Sequence, residues 1–497
     1  MSKFIRIGKY VKPNYPIYIG SKAVQKTKSK LDVLDKFTGE SVSVIPMADK
    51  EFIEESIKQC TLATEAMKKL TPDKKKAILL EIADKIKARQ EEFAKTIVVE
   101  VGKPWNDAIA EVGRAIDTFT IAAEESVRQT GQNIPLEISS RNVGFQAISK
   151  RFPIGPISMI SPFNFPLNLV AHKIAPAIAA GCPFVLKPSD RTPLSALLVG
   201  EVLSESKLLP EGAFSIFPTT HEDAPLLSTD ERIKLITFTG SPGVGWKIKD
   251  NAGKKKVVLE LGGDAACIVD SDIQTSKLQH IANRILFGGF YSQGQSCISI
   301  QRVYIHEKHY DALKQLLVQG ASQLNLKKGD PMDPNTFLGP MITEDDAKRV
   351  NQWVHSAVKK GANLLIGGKQ DGKFHDLTIL ENPPKDTEVC TKEIFGPVFY
   401  IQKFTDFKDT IKQVNASEFG LQSGVFTDNI NKAYFAFNNI DAGAVVINDI
   451  PSVRVDSQAY GGIKNSGFGR EGIINSIEEY TELKLMILKD IGTENSF

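Results

Sequence analysis

The sequence predicts an α/β protein built on parallel β-sheets. Three observations carry the prediction. From about residue 154, short apolar runs alternate with amphipathic stretches, which is the pattern of βαβ units. A second alternation of the same kind runs from about 265 to 447. The chain has 497 residues, whereas single domains rarely grow beyond about 300, so two or three domains are expected.

Residues 48–130 read as helical. Ile78, Leu79, Ile82 and Ile86 recur at three- and four-residue steps, Phe93 falls two turns further on, and charged residues lie between them. Thr71-Pro72-Asp73 forms a helix start. Residues 134–151 alternate in polarity through Ser140, Asn142, Gly144 and Gln146, as a half-exposed strand pair does. Strands are then expected at 156–160, 183–186, 214–217 and 235–238, with helices at 167–180 and 194–203. The second segment offers strands at 267–269, 302–305 and 398–401, and the C-terminal end another at 484–488. Sheets of this kind bind ligands beyond the carboxyl ends of their strands. There is no internal repeat and no low-complexity tract.

Composition narrows the function. The hydrophobic and charged fractions, 42% and 24%, are ordinary for a globular protein. A net charge of +2 leaves no broad cationic footprint for nucleic acid. No apolar run reaches the length of a membrane span, and the N-terminus lacks a secretory apolar core. The start of the chain is lysine-rich, with Asp32 as its first acidic residue. Arg6 is its only arginine, however, and Pro13 and Pro16 interrupt it, so a cytoplasmic protein is expected rather than an organelle-imported one. The five cysteines, Cys60, Cys182, Cys267, Cys297 and Cys390, are scattered, which suits a reducing compartment rather than a disulfide framework. The seven histidines form no metal-ligand spacing, so no zinc or other metal site is expected.

Several short strings suit chemistry. Gly240-Ser-Pro-Gly-Val-Gly245 follows an apolar strand and opens a helix, so its backbone N–H groups suit an anion. Its spacing is not that of the usual dinucleotide fingerprint. Lys187-Pro-Ser-Asp190 follows the run 184–186, where a lysine and a carboxylate both reach ribose hydroxyls. Cys297, in Gly294-Gln-Ser-Cys297, is a nucleophile if a neighbouring charge or helix end favours its thiolate. Glu260 stands between Leu259 and Leu261, where desolvation lifts a carboxyl toward the range of a general base. Asn164, flanked by Pro162 and Pro166, presents a restrained amide suited to an oxyanion. On its own each string has a plainer reading: a strand–helix turn, a polar loop, a buried thiol, a solvent-facing carboxylate, a self-capping turn.

Order and spacing together resolve the ambiguity. Pro162-Phe-Asn-Phe-Pro166, Lys187-Pro-Ser-Asp190, Phe238-Thr-Gly-Ser241, Leu259-Glu-Leu-Gly-Gly263, Gly294-Gln-Ser-Cys297, Glu393-Ile-Phe-Gly-Pro397 and Tyr460-Gly-Gly-Ile-Lys-Asn-Ser-Gly-Phe-Gly-Arg-Glu-Gly472 occur in that order. From about 34 to 489 the chain resembles the aldehyde dehydrogenase superfamily. The resemblance implies a Rossmann-type cofactor domain (1–133 and 152–264), an α/β catalytic domain (265–467) and a β oligomerisation arm (134–151 and 468–497). It implies Cys297 as nucleophile, Glu260 as general base and Asn164 as oxyanion donor. It implies Lys187 and Asp190 at the adenine ribose, Gly240, Ser241 and Gly245 at the pyrophosphate, and Glu393 and Phe395 at the nicotinamide side. Phe163 stands where many members carry tryptophan, and Phe374-His-Asp-Leu-Thr378 departs from an aromatic-Pro-Thr strand.

The implied reaction oxidises a small aldehyde to its acid through a cysteine thiohemiacetal and a thioester that Glu260-activated water cleaves. The implied cofactor is NAD, favoured over NADP by Asp190. Three rivals are weighed. A CoA-acylating relative generally lacks the base glutamate, and a non-catalytic relative would lose the cysteine or the asparagine. A papain-like hydrolase carries its cysteine near the mature N-terminus. The tail 448–456 resembles the lactaldehyde and glyceraldehyde-phosphate branch, and the resemblance places Arg114 and Arg454 in segments near the substrate tunnel, as candidates to bind an anionic or hydroxylated substrate tail. A homodimer or homotetramer is expected, with no nucleic-acid or membrane partner.

Overall fold

A computed structural model of the chain describes residues 10–491. Arg6 and the first nine residues of the segment weighed for import, and residues 492–497 of the arm, lie outside them.

The helical region 48–130 is four helices, Lys50–Lys68, Pro72–Ala88, Gln90–Val101 and Trp105–Ser126. Each boundary has a local cause. The Asp49 side chain accepts from the backbone N–H groups of Glu51 and Phe52 and caps the first helix. Pro72 opens the second, where its missing N–H costs no helical bond. Gly102, at φ 80°, ends the third.

The first sheet has eight strands, in the order Lys22–Val24, Ile17–Ile19, Phe214–Ile216, Phe184–Lys187, Ile157–Ile160, Leu235–Thr239, Lys256–Glu260 and Gly467–Phe468. The middle five are parallel. The three outer strands add antiparallel edges that the sequence pattern did not anticipate. The chain runs outward one way from Ile157–Ile160 and then crosses to Leu235–Thr239 on its other side. The order therefore reverses between these two strands, and a crevice opens at their carboxyl ends. Phe184–Lys187 and Leu235–Thr239 are buried throughout, as strands covered on both faces must be.

The second sheet runs Asn363–Ile366, Thr378–Glu381, Val398–Phe404, Arg302–His306, Ala266–Val269, Gln422–Phe426 and Ala444–Ile447. All are parallel except Asn363–Ile366. The unusual 374–378 string leaves this sheet intact, since Thr378–Glu381 is one of its fully buried strands.

The third sheet joins Asn133–Pro135, Phe145–Pro153 and Thr481–Lys489, the last two paired antiparallel from Thr481↔Pro153 to Lys489↔Phe145. The C-terminal stretch divides between two sheets. Gly467–Phe468 pairs with the first sheet, and Ile473, Ile477 and Tyr480 pack into the first core. Only Thr481–Lys489 reaches the strand pair, because the helix Ile473–Glu479 has an apolar face to bury and the first core receives it.

Candidate active site

The crevice at the carboxyl ends is a cavity of about 850 Å³. Lys187, Asp190, Gly240 and Ser241 line one end, and Asn164, Glu260, Cys297, Glu393 and Phe395 the other. Nine of the ten residues singled out in the sequence therefore share one wall system, although they come from six strings.

Gly245 is the exception. It does not line the cavity: a Cβ there would collide with the Leu261 side chain. Its hydrogen lets the helix Pro242–Asn251 pack closely on the sheet. A Cβ at Gly240 would meet the Phe238 ring at 2.6 Å. The helix N-cap, Ser241, makes no side-chain capping bond, so the first N–H groups of that helix are open to an anion.

At the adenine end Lys187 is buried, and its ammonium is held below the usual lysine range by burial, against the pull of Asp190. Asp190 faces His221, with Nε2 3.8 Å from Oδ2. At the other end, Glu393 Oε1 accepts from the Gly263 N–H at 2.9 Å, and burial pushes its carboxyl up to about 8. Phe163 packs edge-on against Phe395, with 5.7 Å between ring centroids, so the departure from tryptophan is absorbed in an aromatic contact. These features suit a dinucleotide: a long cleft, a glycine turn at a helix N-terminus, and polar groups at both ends.

Cys297 follows a left-handed turn. Ser292 and Gln293 have φ of 51° and 57°, costly for residues with a Cβ. The turn is held from outside. Asp107 Oδ2 accepts from the Ser292 N–H at 3.3 Å, and Gln293 Nε2 donates to the Gly102 carbonyl at 3.1 Å. The Gln295 amide oxygen accepts from the Ile342 N–H at 3.1 Å. Asn164 Nδ2 donates to the Gln295 carbonyl at 2.9 Å, which brings the amide to the nucleophile loop. A Cβ on Gly263 would meet the Cys297 carbonyl at 2.5 Å, so glycine is needed where this loop crosses the end of the Glu260 strand. Cys297 packs against Ile298, Leu421 and Tyr460, and burial pushes its thiol up to about 11.

Glu260 ends its strand with both carboxylate oxygens buried and without a hydrogen-bond partner. Burial first, and then the Glu471 charge, raise its carboxyl well above the ordinary range. Glu471 goes the other way. Burial opposes its charge, but Lys173, Arg454 and His172 hold it below the usual value. Lys173 Nζ is 2.8 Å from both Glu471 Oε1 and Thr237 Oγ1.

Sequence reasoning gave no role to Glu471, Lys173 or Tyr460. The available signals were Lys173 inside an otherwise apolar helical run, and the closing string 460–472 that holds both other residues. Of the two arginines considered, Arg114 is engaged: Nη2 and Nε reach the Asp456 carboxylate at 2.7 and 3.2 Å. Asp456 also meets His172 Nε2 at 2.8 Å. Arg454 is different. Its side chain is only 6% exposed, its Nε and Nη2 have no hydrogen-bond partner, and its nearest charge is Glu471 at 3.5 Å. Among the described residues no helix is long and apolar enough to cross a membrane.

Known proteins resemble the chain in sequence and in fold. The sequence pattern of the aldehyde dehydrogenase family matches residues 23–486. The chain is 38% identical to 3-sulfolactaldehyde dehydrogenase of Priestia megaterium, over 95% of this chain and 98% of that one. It is 36% identical to lactaldehyde dehydrogenase of Methanocaldococcus jannaschii, over 93% and 98%. Among solved structures, aldehyde dehydrogenase 21 of Physcomitrella patens, in complex with the reaction product succinate, superposes with a TM-score of 0.95. The two share 49% identity over 97% of this chain and all of that one. Glyceraldehyde-3-phosphate dehydrogenase of Methanocaldococcus jannaschii, in complex with NADP, gives 0.88 at 36% identity, over 93% and 100%. Identity at this level along nearly the whole chain, on the same two-sheet framework, means that this protein belongs to the aldehyde dehydrogenase family and is an NAD(P)-dependent oxidoreductase of its lactaldehyde-like branch.

Proposed function

We propose that the enzyme oxidises a short aldehyde with an anionic tail, of the four-carbon aldehyde-acid class, to the corresponding dicarboxylate. The observation that carries this reading is Arg454, a buried guanidinium with two unpartnered N–H-bearing nitrogens stacked on Tyr460, which touches the cysteine. Glu471 pairs with the guanidinium at 3.5 Å without a hydrogen bond, so buried guanidinium N–H groups remain that an anionic ligand would satisfy. Relatives lend support: one acts on a sulfonated aldehyde, and another holds succinate as its product.

In this reading Cys297 Sγ adds to the aldehyde carbon, and the Asn164 amide with a backbone N–H steadies the oxygen as it becomes anionic. Lys187, Asp190, Gly240 and Ser241 hold the adenosine and pyrophosphate side of NAD(P), and Glu393 and Phe395 the nicotinamide side. When bound, the cofactor supplies the hydride acceptor. Glu260, desolvated and unpartnered, takes a proton from the water that cleaves the thioester. The presence of this base favours hydrolysis over transfer to CoA. Asp190 sets a preference for NAD, made shallow by Lys187 beside it. The arm strands meet a second copy of the chain in a dimer or tetramer. Five unpaired thiols support a reducing compartment, the cytoplasm.

The test compares kcat/KM for 4-oxobutanoate and butanal by NAD(P)H formation. The acid should be preferred by about a hundredfold or more, as for a charge-assisted pair in a desolvated site. Arg454→Met should cut that ratio at least tenfold. A ratio near one in the wild type, or one unmoved by the substitution, overturns the reading.

A further inference from the structure

One hydrogen bond reaches the Cys297 sulfur: Tyr460 Oη lies 3.1 Å from Sγ. The sulfur is the hydroxyl's one hydrogen-bond partner among the described residues. Tyr460 comes from a segment 163 residues away and is 3% exposed. Its position is fixed on two sides. The Tyr460 N–H donates to the Glu471 carbonyl at 2.9 Å, and its carbonyl accepts from the Glu471 N–H at 2.7 Å. The Arg454 guanidinium carbon lies 3.8 Å from the ring centroid. A cation over the ring face draws electron density from the phenol and makes its O–H a better donor.

We propose that the Tyr460 hydroxyl is a catalytic hydrogen-bond donor that stabilises the Cys297 thiolate. The inference rests on Cys297 being the nucleophile, as the proposed function holds. The step balances simply. The S–H bond breaks with its electron pair left on sulfur, the proton leaves to solvent through the cleft that Cys297 lines, and the phenol O–H turns its hydrogen to the sulfur anion. The direction of donation follows from the acidities: burial keeps the phenol protonated, far above the ordinary tyrosine range. A thiolate has only acceptor capacity, so the phenol must donate. The bond offsets the burial that otherwise holds Cys297 in its inert thiol form. Arg454 acts here through the ring, as a positioning residue.

The experiment is alkylation of the full-length enzyme by iodoacetamide, without cofactor, from pH 5.5 to pH 10, with Cys297 quantified by peptide mass spectrometry. Tyr460→Phe keeps the ring and removes only the hydroxyl. The midpoint of the Cys297 profile should rise by about one pH unit, and labelling at neutral pH should fall about tenfold, the size expected for one hydrogen bond to a charged group. Cys390, half-buried and distant in sequence, serves as the internal control and should label as in the wild type. Profiles for Cys297 that superimpose overturn the inference, and so does an equal change at Cys390, which would mean general loosening. Cys297→Ser separates the two readings. If that variant still turns over aldehyde, the nucleophile assignment fails and the inference with it. If it is inactive and the profiles superimpose, the inference alone fails.

Discussion

A 2′-phosphate placed beside a carboxylate meets like charge, and the proposed function puts Asp190, which lines the cavity, at the adenine ribose. At a partly exposed site, two like charges a few ångströms apart repel by about 1 kcal/mol, close to tenfold in affinity. One cation reduces that here: Lys187, which faces Asp190 from within the wall. We therefore expect NAD to be preferred over NADP by less than about tenfold in kcat/KM, and Asp190→Ser to move the ratio toward NADP by about fivefold. A wild-type preference for NADP, or a ratio that Asp190→Ser leaves in place, would remove Asp190 as the determinant. At this scale the sequence placed Lys187 and Asp190 together, since a lysine and an aspartate at the end of an apolar run lie on one loop whatever the tertiary context. His221 was not legible, because it arrives from the next crossover of the sheet.

The element that calls for a partner is the strand Thr481–Lys489. It pairs with Phe145–Pro153 on one edge only, and Leu483, Leu485, Met486 and Ile487 stand exposed along it, with Ile148 and Phe152 on its neighbour. An apolar strand with a free edge is an association surface. The helix Ile430–Asn439 carries a second such strip, Ile430, Tyr434 and Phe437, on one side of the second unit. Leu485→Lys with Ile487→Lys should shift the enzyme from oligomer to monomer in light scattering. The melting temperature of the monomer should change little, because neither side chain is part of a monomer core. An unchanged mass would show that this strand is not the interface. The alternation in 134–151 pointed to a strand pair, and two strands lie there, but Ser140, Asn142 and Gly144 fall in the connection between them, where Ser140–Asn142 forms a short 3-10 helix. Which strand completes the sheet was not announced, because the pairing spans more than three hundred residues and is set by where Ile473–Glu479 docks.

Across the whole molecule, burial has lifted several carboxyls into the neutral range: Glu100 and Asp107 to about 7, and Glu393 to about 8. In the unfolded chain such groups titrate near about 4. A group with a raised folded value binds more protons folded than unfolded between those limits, so its contribution to stability is fully present below about pH 4 and is lost as pH rises through 7 to 8. Asp456 opposes the trend. Burial works against its charge, but His172 and Arg114 hold it well below the carboxylate range, so its contribution is present above about pH 4 and lost only in stronger acid. The net expectation is a melting temperature that falls from pH 5 to pH 8. Asp107→Asn should flatten the slope, since the amide oxygen still accepts from the Ser292 N–H and no charge develops. Scanning calorimetry across that interval checks it, and a slope that is the same in both proteins would show that Asp107 does not titrate there.

What the sequence by itself determined is the chemistry carried by local strings and the class of architecture carried by period. Apolar runs set between amphipathic stretches are enough to require parallel sheets, and a parallel sheet requires a ligand site at its carboxyl ends. Cys297, Glu260 and Asn164 each lie in a string that suits one task. Only the tertiary structure decided how those tasks meet. It took Gly245 out of the cavity wall and gave Arg114 two hydrogen bonds to Asp456 while leaving Arg454 Nε and Nη2 without one. It also set a tyrosine hydroxyl against the nucleophilic sulfur. The physical reason is range. Periodicity reports which side of its own element a residue takes, whereas contacts such as Lys173 with Glu471, 298 residues apart, depend on the strand order, the register and the crossover that join distant elements at one crevice.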